Sequence, residues 1–130
     1  MPSKTGERCE REFVKRIKKI HPDCFLRKWP DFKSTGVQMF AGMPDYVITT
    51  KEHGTYYVEC KSTKNKSLSV SAFQPSQRYE FPRIIKAGGI VKVFVHIQRE
   101  YYLIHYDHFM KLKGKKSLSY NEIRELGVRI

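Results

Sequence analysis

The sequence predicts a fold of the α/β class, with a mixed β-sheet core flanked by helices. An apolar stripe at helical spacing opens the chain, two groups of strand-like segments follow, and a second helical segment separates those groups. The expected element order is therefore α-β-β-β-α-β-β. The 130 residues, 40% of them hydrophobic, suffice for one core, so we expect a single domain over residues 1–130.

The first helix and the segment after it differ sharply in pattern. Apolar residues recur at helical spacing from Cys9 to Ile20, which predicts a helix over Glu7 to Ile20 that ends before Pro22. The segment from Cys24 to Phe40 lacks a sustained period. We interpret it as irregular, with a strand around Val37 to Phe40.

A hairpin is predicted next. Segments rich in Tyr, Val and Ile indicate strands over Asp45 to Thr50 and Thr55 to Lys61. Lys51 to Gly54 connects them, and its glycine supplies a permissive backbone. The polar and basic stretch from Thr63 to Ser71 is interpreted as a loop.

The second half of the chain repeats the order of helix and strands. Pro75 suits the first turn of a helix that runs to Ala87 before a pair of glycines. A second hairpin is expected from Ile90 to Ile97 and Tyr101 to Tyr106. Ser119 and Glu122 have the spacing of a capping box, which predicts a short final helix.

The net charge points to a polyanionic partner. Lys and Arg number 25 against 13 Asp and Glu, a formal charge of +12, and nucleic acid is the leading candidate, with a generic solvated surface as the alternative. No apolar run has the length of a membrane span, and no signal sequence opens the chain, so we expect a cytoplasmic protein without a membrane partner. Its small size would suit a virus-encoded enzyme acting in a host cytoplasm. Cys9, Cys24 and Cys60 lack a zinc-like spacing and are expected to be reduced thiols.

The chemically informative segments lie on the first predicted hairpin. Gly42-Met43-Pro44-Asp45 opens one strand, and Glu59-Cys60-Lys61 ends the next. Residues two apart on a strand share a face, so Glu59 and Lys61 point together, and the hairpin brings Asp45 beside them. Two carboxylates and an ammonium on one face suit Mg²⁺, which prefers oxygen ligands and often takes one or two carboxylates together with substrate phosphate.

Lys61 has three possible roles at such a site, and the sequence leaves all of them open. Beside a metal-bound water, it could orient the water, help to deprotonate it, or stabilise charge developing on a phosphate. Glu-x-Lys alone is also a common ion pair on a charged strand. The preceding Asp45 favours the site over the simple ion pair because it adds a second carboxylate.

Two glutamates of the first helix are predicted to face opposite ways. At helical periodicity, Glu10 falls near the middle of the apolar stripe, between Phe13 and Ile17, whereas Glu12 falls on the solvated face. An inward carboxylate is costly unless it is paired or binds a metal. We therefore expect Glu10 to join the site, with a structural salt bridge to a lysine or arginine as the alternative.

These motifs, in this order, resemble the PD-(D/E)xK nuclease superfamily, and within it the Holliday junction resolvases of the RecU type. Compact archaeal resolvases are also similar. The resemblance implies a restriction-endonuclease-like fold and covers nearly the whole chain. The matching segments are Gly6 to Glu10, Gly42 to Asp45, Glu59 to Lys66, Gln77, Gly88-Gly89, and Lys115 to Leu118.

The resemblance implies a Mg²⁺-dependent nuclease, in which Mn²⁺ substitutes for Mg²⁺. By this comparison, Asp45 and Glu59 would hold the metal together with the Cys60 carbonyl, and Glu10 would contact it directly or through water. The enzyme would be a homodimer that resolves four-way junction DNA by paired symmetric nicks, through hydrolysis of phosphodiester bonds.

The same comparison implies further roles at the site and on the DNA-binding surface. Lys61 would act on the attacking water, and Gln77 would position the site or the phosphate. The clustering of basic residues also predicts DNA contacts, with a solvated face as the alternative, at Lys33, Lys64, Asn65, Lys66, Lys115 and Lys116.

One departure bears on the substrate. RecU-type enzymes carry a long stalk before the metal-binding aspartate, whereas here a short segment with Arg27, Lys28 and Lys33 could form only a stub. A nuclease of the same fold that cuts flaps, nicks or duplex sites is therefore an alternative. A third is a basic nucleic-acid-binding protein without catalysis, in which Asp45 and Glu59 merely pair with Lys61.

Overall fold

We describe a computed structural model of the chain, in which residues 4–29 and 41–130 are described. Two helices and two hairpins follow the predicted order, and further short elements lie between and after them. The elements are α1 (Lys4–Ile20), β1 (Phe25–Lys28), β2 (Tyr46–Thr50), β3 (Gly54–Ser62), β4 (Ser67–Ser69), a 3-10 turn (Val70–Ala72), α2 (Pro75–Lys86), β5 (Val91–Ile97), β6 (Glu100–His105), α3 (Asp107–Met110), β7 (Ser117–Ser119), α4 (Tyr120–Leu126) and β8 (Val128–Arg129).

The main sheet is mixed, as the α/β prediction requires. Over the described residues its strand order is β1-β2-β3-β5-β6-β8, and a separate two-stranded sheet pairs β4 with β7. Strands β3 and β5 are parallel because α2 carries the chain back across the sheet between them, and the other neighbours are antiparallel. The end of β3 therefore lies beside the start of β2 and the end of β5.

The sheet is covered on both faces, and β3 presents alternate residues to the two layers. Tyr56 and Val58 pack into the cluster that includes α1, whereas Tyr57 packs against the cluster that includes α2. On the α1 side, Phe13 is fully buried, with its ring centroid 5.1 Å from that of Tyr46 and 5.2 Å from that of Phe94. Burying such a ring stabilises the fold by about 3–5 kcal/mol relative to alanine. This layer holds α1 against the ends of β2 and β3.

Two parts of the sequence-based reading of the connections are wrong. Phe25–Lys28 is a strand paired with β2, where an irregular segment was expected. Part of the predicted loop from Thr63 to Ser71 is also ordered, since Ser67–Ser69 pairs with Ser117–Ser119. Both strands are short, and β1 is a largely exposed edge strand, so neither carries the apolar alternation by which strands are recognised. The predicted strand around Val37 to Phe40 lies outside the described residues.

Other local predictions are confirmed. Ser119 Oγ accepts a hydrogen bond from the Glu122 N–H at 3.1 Å, and Glu122 Oε1 accepts one from the Ser119 N–H, which completes the predicted capping box. Helix α2 begins at Pro75 and ends at Lys86. None of the described helices is long and apolar enough to cross a membrane.

Candidate active site

Asp45, Glu59 and Lys61 meet at one end of the main sheet. Asp45 immediately precedes β2, and Glu59 and Lys61 lie near the end of β3. Tyr46 is paired with Val58 in the antiparallel register of these strands, so Asp45 stands beside the last residues of β3. The convergence predicted from strand periodicity is thereby observed.

The two carboxylates are held by an exchange between side chains and backbone. Asp45 Oδ2 accepts a hydrogen bond from the Cys60 N–H at 2.9 Å, and Glu59 Oε1 accepts one from the Asp45 N–H at 3.1 Å. The Glu59 side chain therefore accepts a hydrogen bond from the backbone of Asp45, and the Asp45 side chain accepts one from the residue that follows Glu59. Because the backbone fixes both groups, the pair is preorganised before any ligand binds.

The second oxygen of Glu59 has two further partners. The Lys61 Nζ lies 3.2 Å from Glu59 Oε2, and Gln77 Nε2 donates a hydrogen bond to the same oxygen at 2.8 Å. Gln77 Oε1 accepts the Gln74 N–H at 3.1 Å, at the N-terminus of α2. This bond fixes which end of the amide faces Glu59. Gln77 thus ties the helix to the carboxylate cluster, although it was predicted for the site from the family resemblance alone.

The carboxylates are destabilised in their charged form. Burial raises the pKa of Glu59, and the neighbouring Asp45 charge adds to that effect, while Lys61 and Gln77 oppose it. Burial also raises the pKa of Asp45, against the lowering effect of the Cys60 N–H bond. The cluster holds more negative charge than one ammonium balances, and a bound divalent cation would stabilise both charged forms.

The donor set fits a hard cation of the Mg²⁺ type. Over the described residues, no three His, Cys, Asp or Glu side chains form a group that could hold a metal ion. Mg²⁺ is commonly held by one or two carboxylates with water and phosphate as the remaining ligands. The Cys60 carbonyl points to the same strand edge as its N–H, because both groups of a strand residue share a direction, and that N–H faces Asp45.

Glu10 is half-buried, and its direct partners are residues other than Asp45 and Glu59. Its Oε1 accepts a hydrogen bond from the Tyr46 hydroxyl at 3.1 Å and lies 3.1 Å from Lys28 Nζ. The salt bridge that the sequence left open as an alternative is thus present. The Glu10 charge also contributes to the raised pKa of Asp45, so the two carboxylates interact electrostatically. Lys28 and Tyr46, which hold Glu10, were not identified from the sequence as site residues.

The expected solvated position of Glu12 is wrong. Its side chain is 22% exposed, against 20% for Glu10, and it lies 3.7 Å from Arg16. The two glutamates nevertheless face different neighbours, because Glu12 interacts with Tyr101 at the β5–β6 side of α1.

Because Glu10 and Glu12 have similar exposure but different neighbours, their alanine variants can be compared directly. We expect Glu10→Ala to slow DNA cleavage about tenfold or more, because the carboxylate pair that would hold a metal loses an acidic neighbour. Glu12→Ala should leave the cleavage rate unchanged, since its partner Arg16 lies away from Asp45. Single-turnover cleavage rates, with melting temperatures as a check on folding, measure both effects. An inactive Glu12→Ala beside an active Glu10→Ala would reverse our assignment of the helix faces.

Gly42 lets the segment before Asp45 pack closely against the start of α2. Its φ is +90°, and a Cβ at this position would lie 2.5 Å from the Ser76 carbonyl oxygen at the start of α2. Only glycine allows the chain to approach the helix this closely and then deliver Asp45 three residues later.

Gly42→Ala should therefore disturb both stability and catalysis. We expect it to lower the free energy of unfolding by about 2 kcal/mol or more and to slow cleavage, because Asp45 moves relative to Glu59. Gly54→Ala is the matched control: its φ is +68°, no atom lies within 4 Å, and it sits at the opposite end of β3. That variant should cost about 1 kcal/mol and retain the wild-type rate. Denaturant unfolding and cleavage assays together separate the two cases, and equal rates for both variants would contradict a positioning role for Gly42.

The residues predicted to contact DNA fall at the two ends of the small β4–β7 sheet. Lys64, Asn65 and Lys66 form the exposed turn after β3, and the Lys66 carbonyl accepts the Tyr120 N–H at 2.8 Å. At the other end, the Lys116 carbonyl accepts the Val70 N–H at 2.9 Å. The ammonium of Lys115 is paired with Glu122, so it is less available to a phosphate than the others. Lys33 lies outside the described residues.

Together, the fold and the site define a class of protein. A mixed sheet with helices on both faces, carrying an aspartate and a Glu-x-Lys pair at the ends of adjacent strands, is the restriction-endonuclease-like arrangement that the motifs predict. The chain belongs to the RecU family, described as Recombination protein U, whose sequence profile matches residues 41–130. The matched segment contains Asp45, Glu59, Lys61 and Gln77, and it begins after Glu10.

A comparison of structures supports the same fold. The chain is similar to Hjc, a Holliday junction resolvase from the archaeal hyperthermophile Archaeoglobus fulgidus, with a TM-score of 0.68 and 21% sequence identity over 95% of each chain. No curated protein sequence matches the chain. The restriction-endonuclease-like fold expected from the motifs is thereby confirmed.

Proposed function

We propose that this protein is a metal-dependent endonuclease that resolves four-way DNA junctions by hydrolysing phosphodiester bonds. The observation that carries the proposal is the preorganised Asp45–Glu59 pair beside Lys61 in a chain of the RecU family. The Hjc protein of similar fold is named a Holliday junction resolvase, which supports this choice of substrate. The net charge of +12 suits a polyanionic partner.

Each residue of the cluster has a distinct task in this proposal. Asp45 and Glu59, with the Cys60 carbonyl, would hold Mg²⁺ or Mn²⁺, which activates water and polarises the phosphodiester when bound. Glu10 would act on this metal site through water or through its charge. Gln77 keeps Glu59 oriented through its own bond to the α2 terminus.

Lys61 acts as a donor while its ion pair with Glu59 holds. A charged ammonium can donate a hydrogen bond to a water or a phosphate oxygen, whereas it cannot accept a proton. The 3.2 Å contact with Glu59 Oε2 therefore favours orientation of the nucleophile and stabilisation of phosphate charge over a role as general base.

The architecture of the complex is also part of the proposal. One chain carries one Asp45–Glu59 cluster, so paired symmetric nicks in opposed strands need two chains. We propose a homodimer with the two clusters turned towards opposed strands of the junction. Lys64, Asn65, Lys66 and Lys116 would contact the phosphate backbone, which positions DNA without reading sequence.

A panel of labelled substrates tests the choice of DNA. Wild-type protein is mixed with a four-way junction, a flap, a nicked duplex and an intact duplex of matched sequence, each with Mg²⁺ and separately with EDTA. We expect cleavage of the junction in Mg²⁺ alone. Preferred cutting of the flap or duplex would keep the active site and overturn the substrate. Tight junction binding without any cutting, in Mg²⁺ or Mn²⁺, would instead favour the non-catalytic DNA-binding alternative.

A further inference from the structure

A second feature lies at the same end of the sheet as the carboxylate cluster. An open cavity of about 450 Å³ lies where β3 ends and where β5 turns into β6; it is lined by Thr63, Lys64, His96, Gln98 and Arg99. Strands β3 and β5 are parallel neighbours, with Ser62 paired with His96, so both end at the same edge. Lys61 is paired with Val95, neighbouring strands are about 4.8 Å apart, and residues rise about 3.3 Å along a strand, so the backbone of the β5–β6 turn lies on the order of 10 Å from that of Lys61.

The cavity carries positive charge that other protein groups do not neutralise. Lys64 and Arg99 are exposed, and across residues 4–29 and 41–130 neither makes an ion pair. The pKa of His96 is lowered, first by burial and then by the positive charges of Arg8 and Arg16. Arg8 and Arg16 of α1 therefore lie near His96, and so does the carboxylate of Glu12, which is paired with Arg16. An anion bound between Lys64 and Arg99 would find two cations and no carboxylate among the residues that line the cavity.

His96 is held in place by its neighbours. Its ring stacks on Tyr101 at 4.5 Å between centroids, with 12° between the planes, and its Nδ1 is 3.1 Å from Ser62 Oγ. The rigid ring gives the cavity one ordered polar wall beside two flexible cationic side chains.

The turn that carries Arg99 has an unfavourable backbone for its residues. Gln98 and Arg99 have φ of 50° and 63°, the left-handed pair that a two-residue hairpin turn requires. Asn-Gly or Asp-Gly is the usual pair at such a turn, and larger residues adopt this conformation at some cost. Gln and Arg at this turn therefore destabilise the backbone conformation. Their amide and guanidinium groups, however, line the cavity at the edge of the sheet.

We propose that Lys64, His96 and Arg99 form a binding subsite for a phosphate of the DNA strand that is cut. The inference rests on the proposed function, and it adds residues of the β5–β6 turn to the substrate-binding surface. With a rise of about 3.4 Å per nucleotide, a separation on the order of 10 Å puts the bound phosphate within about three nucleotides of the cut. Arg99 suits this role because its guanidinium can donate two hydrogen bonds to one phosphate.

The test combines protein variants with DNA lacking one charge at a time. Junction binding is measured in EDTA, where no cutting occurs, by fluorescence anisotropy with Arg99→Gln and with Lys86→Gln. Lys86 is exposed at the far end of α2, so its substitution removes the same charge away from the cavity. Each phosphate near the cut is replaced in turn by an uncharged methylphosphonate.

We expect Arg99→Gln to weaken binding about five- to tenfold and to reduce the slope of log affinity against log salt by about one, with a smaller effect of Lys86→Gln. One methylphosphonate within about three nucleotides of the cut should weaken binding of wild type and of Lys86→Gln, but should not weaken Arg99→Gln further. Arg99→Lys should recover part of the affinity. Equal losses for Arg99→Gln and Lys86→Gln, or full methylphosphonate effects in Arg99→Gln, would overturn the subsite. Because the readout is binding, a failure of cleavage itself would appear separately in the substrate panel.

Discussion

Asp45→Asn is expected to slow junction cleavage by about a thousandfold or more while junction binding stays within about twofold of wild type. In the proposed site, the substitution removes a charge that would bind the metal, and interactions with a catalytic metal contribute several kcal/mol to transition-state stabilisation. The basic surface that binds DNA is unchanged. Single-turnover rates in Mg²⁺ and binding constants in EDTA measure the two quantities. Wild-type cleavage by this variant would remove Asp45 from the site.

Although Asp45→Asn should lose activity, we expect it to keep or gain stability. The pKa values of Asp45 and Glu59 are raised in the folded protein, above the ordinary values of 3.8 and 4.5. Folding therefore disfavours the charged forms, and the free energy of unfolding in EDTA should fall as the pH rises from those values through the raised ones. The uncharged amide avoids this cost, so Asp45→Asn should melt at or above the wild-type temperature at neutral pH in EDTA.

Added Mg²⁺ distinguishes this account from a structural ion pair. Mg²⁺ should raise the melting temperature of wild type and leave that of Asp45→Asn nearly unchanged, since a ligand stabilises only the protein that binds it. If Asp45 were only an ion-pair partner, its replacement would instead lower the melting temperature in EDTA.

Lys61→Met is expected to reduce the cleavage rate by about 10²- to 10⁴-fold at saturating Mg²⁺. The variant keeps the aliphatic stem and loses the ammonium that lies 3.2 Å from Glu59 Oε2. Because the pKa of Glu59 is raised to about 8, metal-free protein should also lose about 1–3 kcal/mol of stability above that pH, where the charged, buried carboxylate has lost its cation. That loss should shrink as the pH falls towards neutral and Glu59 becomes protonated.

The control for this variant is Lys86→Met, which removes an exposed ammonium at the end of α2. It should retain the wild-type rate and stability. If Lys61→Met cuts junctions as fast as Lys86→Met, the ammonium has no part in the reaction and the Glu59 contact is only structural.

Local periodicity was sufficient to predict the centre of the site. Alternation along a strand puts Glu59 and Lys61 on one face, and a hairpin connection puts Asp45 beside them, so three residues converge through neighbouring elements alone. The helical phase of α1 predicted a buried Glu10 but did not predict that Glu12 is as little exposed. Gln77 needed the family resemblance, because its contact with Glu59 depends on how α2 docks against the sheet.

Features that depend on pairing between distant segments were not predicted. Lys28 reaches Glu10 because β1 pairs with β2, and β1 has too few buried residues to show a strand pattern. The β4–β7 pairing joins segments from opposite halves of the chain and buries little more than Leu68 and Leu118. The β5–β6 cavity was missed for a similar reason, since Lys64 and Arg99 become neighbours only through the parallel pairing of β3 with β5.

The most direct test of the central claim is cleavage of a four-way junction by wild-type protein, with each of the four strands end-labelled in turn and Mg²⁺ added or chelated. We expect nicks at symmetric positions in two opposed strands, ends that carry a 5′-phosphate, and no product in EDTA. Intact strands at every concentration of Mg²⁺ and Mn²⁺, from protein that still binds the junction, would contradict a nuclease site at Asp45, Glu59 and Lys61.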